Sequence, residues 1–161
     1  MEIRVSPAPF DSQAEEAAFA SGRKDIGAVV SFTGICRDHN GGQDVGELFL
    51  DHYPGFTEQE IGRIAAGIAE RCRCPNLKVI HRVGRILPGE PIVLVTALSE
   101  HREQAFEAVR LLMDYLKTDA PLWKCETGPG GVRWVEPRAE DIARRAKAEA
   151  SSCLASSRGD G

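Results

Sequence analysis

No stretch of this sequence approaches the roughly 18 consecutive apolar residues of a membrane-spanning helix. The opening Met1-Glu2-Ile3-Arg4 lacks the basic and apolar regions of a secretory signal. Both absences set the expectation of a cytoplasmic protein with no membrane partner. A basic excess is missing as well: 20 Lys and Arg stand against 24 Asp and Glu, a formal charge of −4. A general binder of nucleic acid needs a basic face, so nucleic acid is not an expected partner and any anion site must be local. The five cysteines, Cys36, Cys72, Cys74, Cys125 and Cys153, show no CxxC spacing. Cys72-Arg73-Cys74 is too tight for a zinc knuckle, and a disulfide framework does not suit the cytosol. Free thiols are the expectation. There is no internal repeat, no Gly-rich phosphate loop and no dinucleotide fingerprint.

What is there is an ordinary chain of 161 residues, 42% hydrophobic and 27% charged, long enough for one core. One domain is expected over 1–147, with a small polar, disordered tail over 148–161. Glu2 to Ser6 alternates as a short strand, and Asp11 or Ser12 can cap a helix that Gly22 ends. Gly27 to Ile35 is β-rich and apolar, which predicts a buried, central strand. It delivers the chain to Cys36-Arg37-Asp38-His39-Asn40-Gly41-Gly42, where a cation and an imidazole crowd a loop. That loop fits a site, and equally a charged hairpin turned by Asn40-Gly41. Glu47 to Tyr53 returns as a strand. Thr57 with Glu60 forms a capping box opening a helix that buries Ile61, Ile64, Ala65 and Ile68.

Leu77 to Ile86 and Pro91 to Leu98 predict two strands joined by a Pro-Gly turn, with mid-strand His81 and Arg82 on opposite faces and His81 structural. Ser99 is the expected N-cap of a helix through Leu116, and His101 and Arg102 lie in its first turn. Cations there, beside free backbone N–H groups, make an anion-binding corner. The helix ends in Asp114-Tyr115-Leu116-Lys117-Thr118-Asp119-Ala120-Pro121-Leu122-Trp123-Lys124-Cys125-Glu126. Pro121 stops it and Leu122 restarts the chain extended. Lys117 on the last helical turn and Lys124 at the strand start can then aim two ammonium groups into one small volume, although the pair also fits two solvated surface lysines.

Several collinear phrases carry a resemblance. Gly27-Ala28-Val29-Val30-Ser31-Phe32-Thr33-Gly34 with Arg37-Asp38-His39-Asn40, then His52-Tyr53-Pro54-Gly55, Ile80-His81-Arg82-Val83-Gly84, Ser99-Glu100-His101-Arg102, Met113-Asp114-Tyr115-Leu116-Lys117-Thr118 and Ala120-Pro121-Leu122-Trp123-Lys124 resemble the large, catalytic subunit of molybdopterin synthase, the MoaE family. Order and spacing match from about Ala28 to Asp141. The resemblance implies an α+β fold, an α/β hammerhead subdomain plus an antiparallel β-sheet region with packed helices. It implies transfer of two sulfurs to cyclic pyranopterin monophosphate, forming the dithiolene of molybdopterin. The sulfur arrives as a thiocarboxylate on the Gly-Gly C-terminus of a small ubiquitin-like subunit, so no metal and no cofactor of the chain's own are expected. Two copies of the chain back to back, each with one small subunit, are the implied assembly.

By the same resemblance Lys117 and Lys124 are the catalytic residues, and Arg37, His39, His101, Arg102 and Arg138 bind the substrate. Ile35 and Cys125 stand where some members carry basic residues. Both reactants are anions, which is why cations are needed to bring them together. Two other classes use parts of the same inventory: a non-catalytic pterin or phosphate carrier, and a sulfurtransferase with a persulfide on Cys36 or Cys125.

Overall fold

The computed structural model describes residues 1–136 and 139–156. In chain order the elements are β1 (Glu2–Ser6), α1 (Ser12–Ala20), β2 (Ala28–Ile35), β3 (His39–Asn40), β4 (Gln43–Asp44), β5 (Glu47–His52) and α2 (Phe56–Cys72). They continue with β6 (Asn76–Arg82), β7 (Gly84–Ile86), β8 (Pro91–Ser99), α3 (Arg102–Leu116), β9 (Leu122–Gly128), β10 (Gly131–Val135) and α4 (Ala139–Ser156). One sheet has the order β1-β6-β8-β2, with β1 parallel to β6 and the other pairs antiparallel. The other, β10-β9-β5-β7, is antiparallel throughout. The fold is α+β, as the sequence implies.

Helices α2 and α3 bury their apolar stripes on the first sheet. Ile61, Ile64 and Ile68 of α2 meet Leu112 and Leu116 of α3 over Val79 and Val95. Each such side chain, fully buried, stabilises the fold by about 1.5–3 kcal/mol. A smaller cluster, Cys36, Leu48, Leu50 and Ile86, backs the second sheet. Among the described residues no helix is long and apolar enough to cross a membrane.

The departures from expectation have local causes. The run Gly27 to Ile35 is not central: β2 pairs only with β8 and forms the sheet edge, leaving Val29, Phe32 and Ile35 between 41% and 48% exposed. The central places go to β6 and β8, whose side chains are buried almost without interruption. The run Leu77 to Ile86 divides at Val83, because Gly84 takes a φ of +72° and turns β7 into the second sheet. The hairpin β3–β4 turns on Gly41-Gly42, both at positive φ, instead of on Asn40-Gly41, and Asn40 is buried.

Two helix caps also move. Gly55, at φ +82°, precedes α2, and the Glu58 carboxylate accepts from its N–H at 2.7 Å. The Thr57 hydroxyl serves the interior instead. At α3 the capping position is His101; Ser99 stays in β8, accepting from the His101 N–H at 3.4 Å and donating to Gln104 at 2.6 Å. Helix α4 runs from Ala139 to Ser156.

Candidate active site

Lys117 is the C-cap residue of α3. The chain then turns tightly, with the Asp119 N–H bonded to the Tyr115 carbonyl at 2.7 Å and the Leu122 N–H to the Ala120 carbonyl at 2.7 Å. Pro121, which has no N–H to give, ends the helix and lets β9 begin at Leu122. The turn is anchored from below. The buried Thr57 hydroxyl accepts from the Tyr53 N–H and donates to the Pro121 carbonyl, each at 3.2 Å.

Both lysines line one cavity of about 420 Å³, which opens where the two apolar clusters meet. Leu48 and Leu50 form one wall, Val93, Met113 and Leu116 the other, and Arg37, Asn40 and His81 add polar atoms. From α4 come Glu140, Asp141 and Arg144. Lys117 Nζ lies 3.3 Å from an Asp141 carboxylate oxygen. Lys124 Nζ lies 2.7 Å from Glu126. Arg37 has no carboxylate within ion-pair distance among the described residues, so it is the guanidinium open to a bound anion.

Glu126 is the residue that the sequence did not single out. It is buried, two places after Lys124 on the same face of β9, and receives three donors. Asn40 Nδ2 reaches both carboxylate oxygens at 2.9 and 3.1 Å, Arg133 reaches one at 2.7 Å, and Lys124 completes the set. Burial pushes the carboxyl pKa up, but Lys124, Arg133 and Asn40 outweigh it and hold the value down at about 2. A fixed negative charge therefore orients the Lys124 ammonium. The i, i+2 spacing of Lys124 and Glu126 was visible in the sequence; the cross-strand partners were not.

The other sequence-derived positions scatter. His39 does not line the cavity: its ring is exposed and pairs with Asp38 at 2.6 Å. His101 and Arg102 do not line it either, since they sit at the far end of α3, about 22 Å from Lys117 along 15 residues of helix. Arg138 lies outside the described residues. His81, expected to be structural, lines the cavity, while Arg82 points to the other face and bonds Glu90 at 3.0 Å and the Arg85 carbonyl at 3.2 Å. Cys36, Cys72, Cys74 and Cys125 are free and buried, and burial raises the Cys36 thiol pKa. A buried thiol of raised pKa is a poor persulfide carrier. Among the described residues no three His, Cys, Asp or Glu side chains are grouped to hold a metal ion.

This α+β scaffold gathers two amines and an open guanidinium over a half-apolar cavity, an arrangement of cations that can take a small anion. Residues 5–119 match the family described as MoaE protein, and the chain belongs to that family. A molybdopterin synthase catalytic subunit from Pseudomonas aeruginosa is 50% identical over 143 residues, 89% of this chain and 95% of that one. Among solved structures, the molybdopterin biosynthesis MoaE protein from Burkholderia ambifaria superposes with a TM-score of 0.76 at 42% identity, covering 92% of this chain and 97% of that one. A complex of subunits 1 and 2 of molybdopterin-converting factor from Helicobacter pylori shares the fold, with a TM-score of 0.69 at 21% identity over 84% of this chain and 90% of that one.

Proposed function

We propose that the chain is the catalytic subunit of a molybdopterin synthase, acting in the cytoplasm on cyclic pyranopterin monophosphate with sulfur from the thiocarboxylate of a small ubiquitin-like subunit. The observation that carries the reading is the convergence of Lys117, Lys124 and Arg37 on one cavity with apolar walls. The apolar walls suit a fused ring, and Arg37 suits its phosphate. The lysines face the reacting carbons and the donor carbonyl. One acts as acid or transient covalent partner, and the other stabilises the charge that develops as sulfur leaves its acyl carrier. Because the sulfur is delivered by the small subunit, the chain needs no cofactor of its own. Only an extended Gly-Gly terminus is thin enough to enter between the walls.

The remaining substrate residues, His101 and Arg102, are supplied in this reading by a second copy. The edge strand β2 offers an unpaired backbone side and exposed apolar residues, an arrangement that invites another strand. Paired antiparallel about a two-fold axis at Phe32, Val29 of one copy lies opposite Ile35 of the other. The Gly27 N–H bonds the Ser99 carbonyl at 3.0 Å, so the start of β2 carries the start of α3 with it. Each copy then brings His101 and Arg102 to the end of the partner's β2, where Gly34 and Arg37 line the cavity.

Purified chain, thiocarboxylated small subunit and cyclic pyranopterin monophosphate should together yield dithiolene product, followed by mass, and no pair of the three should. Lys117→Ala and Lys124→Ala should each lower turnover by about 10²–10⁴-fold with the fold intact. Near-normal product from both variants contradicts the lysine assignment. A carrier without catalysis would bind the pterin and release it unchanged.

A further inference from the structure

His81 sits on β6 beside Val5 and Val93, 8% exposed, and its ring lines the cavity that holds both lysines. Its Nδ1 lies 2.8 Å from the backbone carbonyl of Arg82. A carbonyl only accepts, so Nδ1 carries the proton and Nε2 carries the lone pair. Nε2 has no partner among the described residues and is not among the buried atoms left unsatisfied, which leaves it to the cavity. Burial lowers the ring's pKa, against a smaller opposing effect of the Arg82 bond. The imidazole is therefore neutral at neutral pH.

The other groups at the cavity are differently placed. Lys117 and Lys124 are ion-paired cations without a lone pair, Asp141 is held by Lys117, and Glu140 by Arg144 at 3.4 Å, while Glu136, the remaining carboxylate of the lining, is exposed to solvent. The Arg37 guanidinium only donates and has no lone pair to offer, and the Asn40 amide is no base.

We propose that His81 is a catalytic base in the reaction assigned above, taking a proton through Nε2 from the water that releases the spent carrier. The inference rests on that assignment. Once the thiocarboxylate sulfur has bonded to a pterin carbon, carrier and pterin are joined by an acyl–sulfur bond. Water oxygen bonds to the acyl carbon as its proton passes to Nε2. The carbon–sulfur bond breaks, and its electron pair leaves with the sulfur as a thiolate on the pterin. The proton on Nε2 passes to that thiolate, and the carrier departs as a carboxylic acid that ionises to solvent. Nothing is oxidised or reduced, and water is the only co-reactant.

The test is a single turnover with thiocarboxylated small subunit and cyclic pyranopterin monophosphate, followed by intact mass for wild type and His81→Gln. The glutamine amide can keep the bond to the Arg82 carbonyl and present an oxygen to the cavity, but it cannot take the proton. The variant should form the carrier–pterin adduct at the wild-type rate and hydrolyse it at least about 100-fold more slowly, so that the adduct accumulates with KM little changed. A merely structural role would slow both halves together. Hydrolysis within about twofold of wild type, or a loss confined to adduct formation, overturns the inference while wild-type product leaves the parent assignment standing. Absence of product from wild type overturns both. If thermal melting shows His81→Gln unfolded, His81→Asn carries the same measurement.

Discussion

Glu126 is a buried carboxylate whose negative charge persists because three donors meet it, and that persistence can be read from acid stability. Its pKa falls on folding from the ordinary 4.5 to about 2. Between those values the unfolded chain binds the proton and the folded chain does not, so the group stabilises the fold above pH 4.5 and that contribution is lost as pH drops toward 2. Glu126→Gln should flatten the fall in melting temperature over that window. At neutral pH it should cost about 1–3 kcal/mol, since Lys124 and Arg133 lose a charged partner but are exposed enough to find water. Turnover should fall as well, because Lys124 is no longer held in one orientation. A variant with the same acid profile as wild type would show that the carboxylate titrates elsewhere. Residues of this kind are illegible in a sequence: Glu126 looks like any alternating strand residue until Asn40, 86 positions away, is found against it.

At the scale of elements, the break between α3 and β9 positions the chemistry, and it was the most legible part of the chain. The amphipathic period of α3, the proline and the apolar restart are all local signals, and they placed Lys117 and Lys124 on either side of the break. What anchors the break is not local. The Thr57 hydroxyl spans from the first turn of α2 to Pro121, and the Thr-x-x-Glu pattern around it mimics a helix cap that Gly55 and Glu58 provide instead. Thr57→Val keeps the shape and removes the hydroxyl, leaving the Tyr53 N–H and Pro121 carbonyl without it. Urea unfolding should show a loss of about 1–3 kcal/mol. Turnover should drop with little change in thermal cooperativity, since the lysine-bearing turn loosens while the core stays. Full activity in this variant would mean that the turn holds its own geometry. The reading of β2 failed for a related reason: an apolar run looks the same whether its second side meets another strand of the same chain or a surface left open, and only the sheet order reveals which.

For the whole molecule, the distribution of cations decides what one copy can do alone. Arg37, Lys117 and Lys124 share a cavity, whereas His101 and Arg102 stand at the opposite end of α3 with exposed side chains. If the cavity is completed by a second copy across β2, damage at one end of the molecule is separable from damage at the other. Arg102→Ala and Lys117→Ala homodimers should each be nearly inactive. Mixed and re-associated, they form heterodimers in which one cavity carries both lesions and the other carries none. Half of the dimers at random assortment are mixed, each with one intact site of two, so the mixture should recover about a quarter of wild-type activity by simple assortment. A chain monomeric by sedimentation, or a mixture no more active than its parents, would place His101 and Arg102 outside the reaction. Phe32→Lys tests the route, because a like charge facing itself across the two-fold axis should shift the dimer toward monomer and lower activity in step with dissociation.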